Sequence, residues 1–333
     1  MLEVAGREVP VSNPDKIFFT AAGATKLDLI RYYLAIEPTV MRAMADRPVL
    51  LQRFPNGASG SSFFQKRIPD GAPDWLTTQV VTTPNGTTSN ALVIADMAHL
   101  VWAVNLGCLG FHSWPMRASD PTHCDELRID LDPGPGTTFP MATETAAEVR
   151  SLFTELGVRS YIKTTGNRGL HVYVRLRAEW DSVAVRSASV AVARALERRR
   201  PDLITASWWK EERGARIFVD FNQNAPHKTV FAPWSVRSRD HAPVSCGFEW
   251  DDLATIDPNQ LTIATVPTRL AERGDPWADM NDHPQSLEPL LHLVRLDTVN
   301  GLVDAPWPPV YPKMAGEPPR VAPSRAKKVP PAG

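Results

Sequence analysis

Three observations predict an α+β fold with a mixed central β-sheet flanked by helices. First, Arg128-Ile129-Asp130-Leu131-Asp132-Pro133-Gly134 alternates charged and apolar residues with a two-residue period. In a strand this puts Asp130 and Asp132 on one surface and Ile129 and Leu131 towards a core. Second, two strand-like runs, residues 158–164 and 170–176, are joined by the short turn Thr165-Gly166-Asn167-Arg168-Gly169. Third, apolar stripes at helical spacing surround them: Ala146, Val149, Leu152, Phe153 and Leu156, and then Val185, Ala188, Val192 and Leu196.

Along the chain, Thr25 with Asp28 three residues on marks a helix start, and Leu29, Ile30, Tyr33 and Leu34 continue it. Pro38 is expected to end or kink that helix. Residues 48–101 carry short apolar runs at 49–51 and 91–94 broken by Pro and Gly, which predicts a β-rich region. After the Asp130 strand, Pro133-Gly134-Pro135-Gly136 makes a tight turn into a helix stopped by Gly157. A second long helix spans 181–199, with Pro201 beyond its end. Strands are expected to dominate to residue 244, and short helices to occupy 250–253, 266–273 and 286–294. Beyond Ala305, prolines at 306, 308, 309, 312, 318, 319, 323, 330 and 331 accompany Lys313, Arg320, Arg325, Lys327 and Lys328 against Glu317 alone. That composition predicts a disordered basic tail over 305–333.

The chain has 333 residues, of which 43% are hydrophobic, enough for one large core or two smaller ones. No apolar run approaches the roughly 18 residues that span a bilayer, and Met1-Leu2-Glu3-Val4 lacks the regions of a signal peptide. No membrane association is expected, and the cytoplasm, in association with the nucleoid, is the expected compartment. Cys108, Cys124 and Cys246 form no disulfide framework. A formal charge of −1 argues against a protein that coats nucleic acid indiscriminately, so any contact with DNA must be a local basic patch.

Arg216-Ile217-Phe218-Val219-Asp220-Phe221 ends a second strand-like run on a carboxylate. Three convergent carboxylates, Asp130, Asp132 and Asp220, suit hard divalent cations, Mg²⁺ or Mn²⁺. By itself Asp-x-Asp also occurs in calcium loops, glycosyltransferases and plain turn caps. The stretch Thr165-Gly166-Asn167-Arg168-Gly169-Leu170-His171 adds two glycines, a fixed cation and an imidazole, so that backbone amides and Arg168 can approach a polyphosphate. The alternative is a glycine turn with a solvated arginine. Ala232-Pro233-Trp234-Ser235-Val236-Arg237 brings a second guanidinium suited to bidentate phosphate contacts, unless Arg237 and Arg239 merely line a solvated edge. A zinc site of Cys108, His112, His123 and Cys124 is disfavoured, because adjacent His-Cys is poor geometry for tetrahedral ligation.

Asp130-x-Asp132, Gly166-x-Arg168-Gly169-x-His171 and the strand-borne Asp220 together resemble the three motifs of the archaeo-eukaryotic primase superfamily. More narrowly, the chain resembles the polymerase domain of bacterial ATP-dependent DNA ligase D and its stand-alone relatives. Ser12-Asn13-Pro14-Asp15-Lys16, Arg47-Pro48, Phe63-Phe64-Gln65-Lys66, Leu100-Val101-Trp102 and Pro267-Thr268-Arg269-Leu270-Ala271 extend the likeness over roughly residues 5 to 295.

The resemblance implies a primase-polymerase catalytic fold over residues 1–300. Residues 1–120 would carry the contacts to DNA ends and 121–260 the catalytic core. Asp130, Asp132 and Asp220 match the carboxylates that hold two divalent ions; Thr165, Arg168, Gly169 and His171 match the nucleotide-binding turn; His112 and Arg237 match positions near the sugar and triphosphate. Lys16 and Lys26 match the pair that holds a downstream 5′-phosphate, and Arg53, Phe63, Phe64 and Lys66 lie along the DNA. Adjacent aromatics usually place at least one ring in the core, so base stacking is expected of only one of Phe63 and Phe64.

The chain departs from the pattern at Gly110-Phe111-His112, where Glu-Leu-His is common, and at Pro226-His227-Lys228, where Arg-Gly is common. It also shows no Lys-x-Asp-Gly adenylation motif. The expected activity is therefore primer extension and filling of gaps or break ends bearing a 5′-phosphate, with ready use of ribonucleotides, by a monomer that leaves sealing to a separate ligase. The competing reading is a DNA-end-binding module that bridges breaks for a ligase without chemistry of its own.

Overall fold

The computed structural model describes residues 1–325. Two small hairpins, β1 (Leu2–Val4) with β2 (Arg7–Val9) and β3 (Ile17–Phe19) with β4 (Ala24–Thr25), open the chain. In α1 (Lys26–Ala35) the Thr25 hydroxyl accepts the Asp28 amide at 3.1 Å, and the Asp28 carboxylate accepts the Thr25 amide at 2.9 Å. This reciprocal cap fixes the helix start where the sequence places it. Pro38 sits in the first turn of a second helix, α2 (Glu37–Met44), where a missing N–H leaves no hydrogen bond unmade.

The first sheet follows in β5 (Pro48–Arg53), β6 (Phe63–Gln65), β7 (Thr78–Thr82) and β8 (Thr88–Val93). The expected β-rich stretch is interrupted by α3 (Met97–Asn105), whose residues 97–104 are all buried. A helix apolar on every side shows no polar face to reveal its period. Its start was nonetheless marked by Asp96, which accepts the Ala98 amide at 2.9 Å. β9 (Cys108–Ser113) then returns to the sheet, whose order is completed by β15 (Val230–Phe231) as β15-β9-β5-β8-β7, with β6 paired to β5.

The second sheet is built from β10 (Cys124–Pro133), β11 (Tyr161–Thr164), β12 (Leu170–Trp180), β13 (Ile204–Thr205), β14 (Ile217–Val219) and β16 (Gly247–Phe248). Its order is β13-β14-β10-β12-β11-β16, antiparallel except for the parallel pair β13 and β14, so the sheet is mixed as expected. Two long helices, α4 (Phe139–Glu155) and α5 (Ser182–Arg199), cover its apolar face, capped at Thr138 and Asp181. A single turn, α6 (Lys210–Arg213), and the peripheral α7 (Val266–Arg273) and α8 (Glu288–Val299) complete the helices. Between α5 and β16 the expected run of strands is mostly connecting segments around very short ones, and the helix expected at 250–253 is the 3₁₀ turn Trp250–Asp252. Among the described residues, no helix is long and apolar enough to cross a membrane.

Each sheet has its own core, one around Phe18, Tyr33, Leu100 and Phe111, the other around Leu127, Ile129, Phe153 and Val192. A buried ionic junction joins the two halves. Arg47 donates to Asp125 at 2.6 and 3.0 Å and also pairs with Glu126, while Arg128 donates to Glu126 and to the Ser113 and Trp114 carbonyls at 2.8 and 2.9 Å. Removing one member of such a network strands a buried charge at a cost of about 3–5 kcal/mol.

The Pro-rich segment departs from the disorder its composition predicts. As far as residue 325 it lies against the body, with Trp307 only 2% exposed and packed with Ala225 and Tyr311. The reason is physical: two large aromatic anchors and a buried arginine outweigh a proline-rich average. Residues 326–333, the rest of the expected tail, lie outside the described residues.

Candidate active site

The polar face of the second sheet gathers the chemistry. β10 points Leu127, Ile129 and Leu131 into the core, so Asp130 and Asp132 share the opposite face. Cross-strand partners project together. Asp130 pairs with His171 on β12, and His171 pairs with Lys163 on β11. On the other side, β14 pairs Leu131 with Val219, and the Asp220 amide donates to the Asp130 carbonyl at 2.9 Å. Asp220, Asp130, His171 and Lys163 thus form one row across four strands, with Asp132 one pleat further on.

The electrostatics of this row are those of crowded acids. Burial pushes Asp130 up to about 6 against the pull of Lys163 and Arg237. Burial, then the charge of Asp130, pushes Asp220 up to about 6. Asp132 is raised by desolvation and then by Asp130, and is opposed by Arg213, Lys210 and Arg168. His171 Nε2 lies 3.2 Å from Asp130 Oδ1, its Nδ1 is buried without a partner, and burial together with Lys163 holds the ring neutral.

The donor set fits a hard divalent cation. Among the described residues Asp132 makes no ion pair or hydrogen bond, and Asp130 has only His171 beside it, so carboxylate lone pairs remain for an ion. Asp220 lies beside Asp130, and Asp132 one pleat further along β10, an open arrangement in which, among the described residues, no three potential ligands already surround one point.

The glycine turn packs tightly beside the row. Thr165 Oγ1 accepts the Asn167 and Gly169 amides, both at 3.2 Å, and leaves Arg168 exposed at the tip. A Cβ at Gly169 would meet the Leu131 carbonyl oxygen at 2.7 Å, and Gly166 has φ +68° with Arg237 Cγ 2.8 Å from where its Cβ would stand. Both positions need glycine for these approaches. Arg237 is held by its Nε donating to the Thr165 carbonyl at 2.7 Å and by stacking on Phe231, with Cζ 3.5 Å from the ring centroid. Desolvation lowers it to about 10.

His112 belongs to the first sheet, but Phe231↔His112 pairing carries it to this site. Its ring packs edge-on against Phe231 and Phe64, at centroid distances of 5.2 and 5.4 Å. Its Nε2 is buried without a partner, and desolvation, then Arg237, drive its pKa down to about 3.

The residues expected to contact DNA lie outside the second sheet: Arg53 on β5, Phe63 and Phe64 on β6, Lys66 just after it, Lys16 just before β3 and Lys26 at the start of α1. Half-buried Lys16 donates to the Pro55 carbonyl at 2.7 Å and to Asn56 Oδ1 at 3.1 Å. Lys26 is 5% exposed and donates to the Ser12 and Asn105 carbonyls; burial, then Lys16, lowers its pKa. Arg53 donates to the Leu106 carbonyl at 2.8 Å and lies 5.1 Å from the Phe63 ring. Contrary to expectation, neither aromatic enters the core: Phe63 is 47% and Phe64 55% exposed. The three-residue β6 pairs with β5 alone at the edge of the sheet, where Phe63 meets Arg53 and Phe64 meets His112. Phe63, Phe64 and exposed Lys66 line an open groove of about 600 Å³.

Several residues near the acids escaped sequence reading. Gln223 Nε2 donates to Asp220 Oδ2 at 2.8 Å, and Lys228 and Arg213 bias the same carboxylate cluster. Lys163, fully buried, donates to Ser245 Oγ at 2.5 Å. Strand alternation from His171 through the turn could have found Lys163. Arg213 sits in a segment with no motif signal. At Pro226-His227-Lys228 the backbone of His227 is left-handed, with φ +65°.

Known proteins resemble this chain throughout the two sheets. The family described as LigD, primase-polymerase domain, matches residues 25–277. The multifunctional non-homologous end joining protein LigD of Mycolicibacterium smegmatis is 37% identical over 278 residues, which cover 82% of this chain and 36% of the relative. The bifunctional non-homologous end joining protein LigD of Bacillus subtilis is 31% identical over 285 residues, 84% of this chain and 46% of the relative. The chain therefore spans less than half the length of these relatives. Among solved structures, the polymerase domain from Mycobacterium tuberculosis ligase D in complex with DNA superposes with a TM-score of 0.77 at 32% identity, covering 84% of this chain and 99% of that one. With a match across both sheets and all three acidic and glycine motifs, the chain belongs to the LigD primase-polymerase domain family.

Proposed function

We propose that this chain is a metal-dependent nucleotidyltransferase that extends a primer strand on a DNA template, filling short gaps and break ends that carry a 5′-phosphate, in end-joining repair. The observation that carries this reading is the row of three crowded carboxylates beside a glycine turn flanked by Arg168 and Arg237. A module that only bridges DNA ends has no use for three neighbouring acids whose pKa values desolvation raises.

Two Mn²⁺ or Mg²⁺ ions on Asp130, Asp132 and Asp220 would supply Lewis acidity to the 3′-hydroxyl and neutralise charge on the departing pyrophosphate. Arg168 has the freedom to close on a triphosphate, whereas Arg237 is pre-positioned by its Thr165 and Phe231 contacts, so its fork loses little freedom on binding. Gln223 on Oδ2 and the Asn222 amide on Oδ1 hold the Asp220 carboxylate in one orientation. His112, neutral and unpartnered at Nε2, offers a hydrogen bond to a sugar hydroxyl, which supports ready use of ribonucleotides. Lys16, Lys26 and Arg53 supply the charge for a 5′-phosphate, and exposed Phe63 and Phe64 offer stacking surfaces for template bases.

The test is incorporation of labelled ribo- and deoxyribonucleoside triphosphates on gapped duplexes with and without the 5′-phosphate, with Mn²⁺ or Mg²⁺. Template-directed, metal-dependent extension stimulated by the 5′-phosphate is expected. Binding without extension would favour the bridging module, and deoxy-favoured rates would remove the ribonucleotide preference.

A further inference from the structure

The 3₁₀ turn Phe221–Asn224, which follows Asp220, is held from behind by a part of the chain beyond the family match at 25–277. Asn222 donates its amide to Asp220 Oδ1 at 3.1 Å, so the side of the carboxylate away from Gln223 depends on where this turn sits. Asn222 in turn accepts Arg186 Nε at 2.7 Å through Oδ1 and donates through Nδ2 to the Pro306 carbonyl at 3.1 Å. Arg186 is fully buried within the protein. It spends its remaining donors on the C-terminal segment: Asp304 Oδ1 at 2.8 Å, the Ala305 carbonyl at 2.9 Å and the Pro306 carbonyl at 3.3 Å. The Trp307 ring covers the guanidinium at 3.9 Å, and the Tyr311 hydroxyl donates to the Pro226 carbonyl just past the turn. Stranding a buried guanidinium by removing its partners is strongly destabilising, so the segment and the turn are coupled through Arg186.

We propose that residues 304–311 form a strap that positions Asp220 for metal binding, acting through Arg186 and Asn222. Arg186, Trp307 and Tyr311 are positioning residues: none reaches the carboxylate row, and each acts on a group that orients it. This inference rests on the metal-centre reading given above. Partners that orient a ligand in this way typically change metal affinity by about 10- to 100-fold when lost.

The test is a titration of the full chain with Mn²⁺, in which free ion is followed by its electron paramagnetic resonance signal without substrate or turnover. Trp307→Ala is expected to weaken Mn²⁺ binding about tenfold, and Tyr311→Phe, which removes one hydroxyl, to weaken it by a smaller factor. Val310→Ala, on the 67% exposed side of the same segment, is the control and should match wild type. Affinity for gapped DNA, expected from residues outside the second sheet, should stay unchanged in all three, which a general loss of structure would not allow. Should Trp307→Ala fail to fold, as judged by circular dichroism, Tyr311→Phe decides. Wild-type Mn²⁺ affinity in the folded strap variants, or parallel loss of Mn²⁺ and DNA binding, would overturn the strap. Absence of Mn²⁺ binding in the wild type would overturn the metal-centre reading itself.

Discussion

The Asp220 amide donates to the Asp130 carbonyl oxygen at 2.9 Å. The third acid of the site is thereby tied to the first through main chain, and its distance from Asp130 is set by the ladder between β10 and β14 and not by side-chain preference. Around this bond the protein concentrates its electrostatic stress: desolvation raises both acids, and the charge of Asp130 raises Asp220 further.

Asp130→Ala and Asp132→Ala should each abolish primer extension while leaving gapped-DNA affinity nearly intact, because the residues expected to contact DNA lie outside the second sheet. Extension assays paired with fluorescence anisotropy measure both quantities. Retained extension in either variant would remove the metal assignment.

Gly169→Ala should raise the KM for nucleoside triphosphate and destabilise the fold by about 1–3 kcal/mol. The new Cβ would press on the backbone oxygen of Leu131, 2.7 Å away, which cannot yield without moving β10. Chemical denaturation and steady-state kinetics read the two effects; a fully stable variant with unchanged KM would contradict the close packing of turn and strand.

Lys16→Ala should lower the slope of log affinity against log salt by roughly one unit, with little change in Tm. Lys26→Ala should lower the slope as well, but also cost about 1–3 kcal/mol of stability, because the buried lysine stem and its bonds to the Ser12 and Asn105 carbonyls are lost together. An unchanged slope in Lys16→Ala would return that lysine to ordinary surface.

His112 gives the stability a pH dependence. Its pKa in the folded chain is driven to about 3 from an ordinary 6.5. The unfolded chain therefore takes up a proton below pH 6.5 that the folded chain refuses, and stability falls as pH falls. From pH 7 to pH 5 this amounts to about 2 kcal/mol for one such group. In His112→Phe, the acid loss measured by denaturation should be smaller than in wild type by that order; identical pH profiles would show that His112 ionises freely.

Much of the site could be read from local rules. The alternation around Asp130 identified the strand and its two faces, the Thr25–Asp28 box marked a helix start, and the glycines at 166 and 169 announced close backbone approaches. What escaped reading depends on tertiary context. α3 hid because burial on every side erases periodicity. Phe63 and Phe64 stay outside because β6 has only one neighbour. Lys163 and Arg213 reach the acids only once β11 and the segment before β14 are in place. Trp307 and Tyr311 were masked by the prolines around them, since composition averages over the very anchors that decide the outcome.

Under the proposed function, the row Asp220–Asp130–His171–Lys163 ties activity to strand register. A one-residue slip of β12 against β10 would send His171 to the apolar side and bring Val172 to the acids. During synthesis the first two carboxylates emerge well before their third partner, so a nascent chain stays chemically silent until β14 has docked. Such long-range pairings form late and slowly. Recovery of activity during refolding should therefore lag behind recovery of helical signal, and misregistered molecules, though compact, would be inert towards nucleotides.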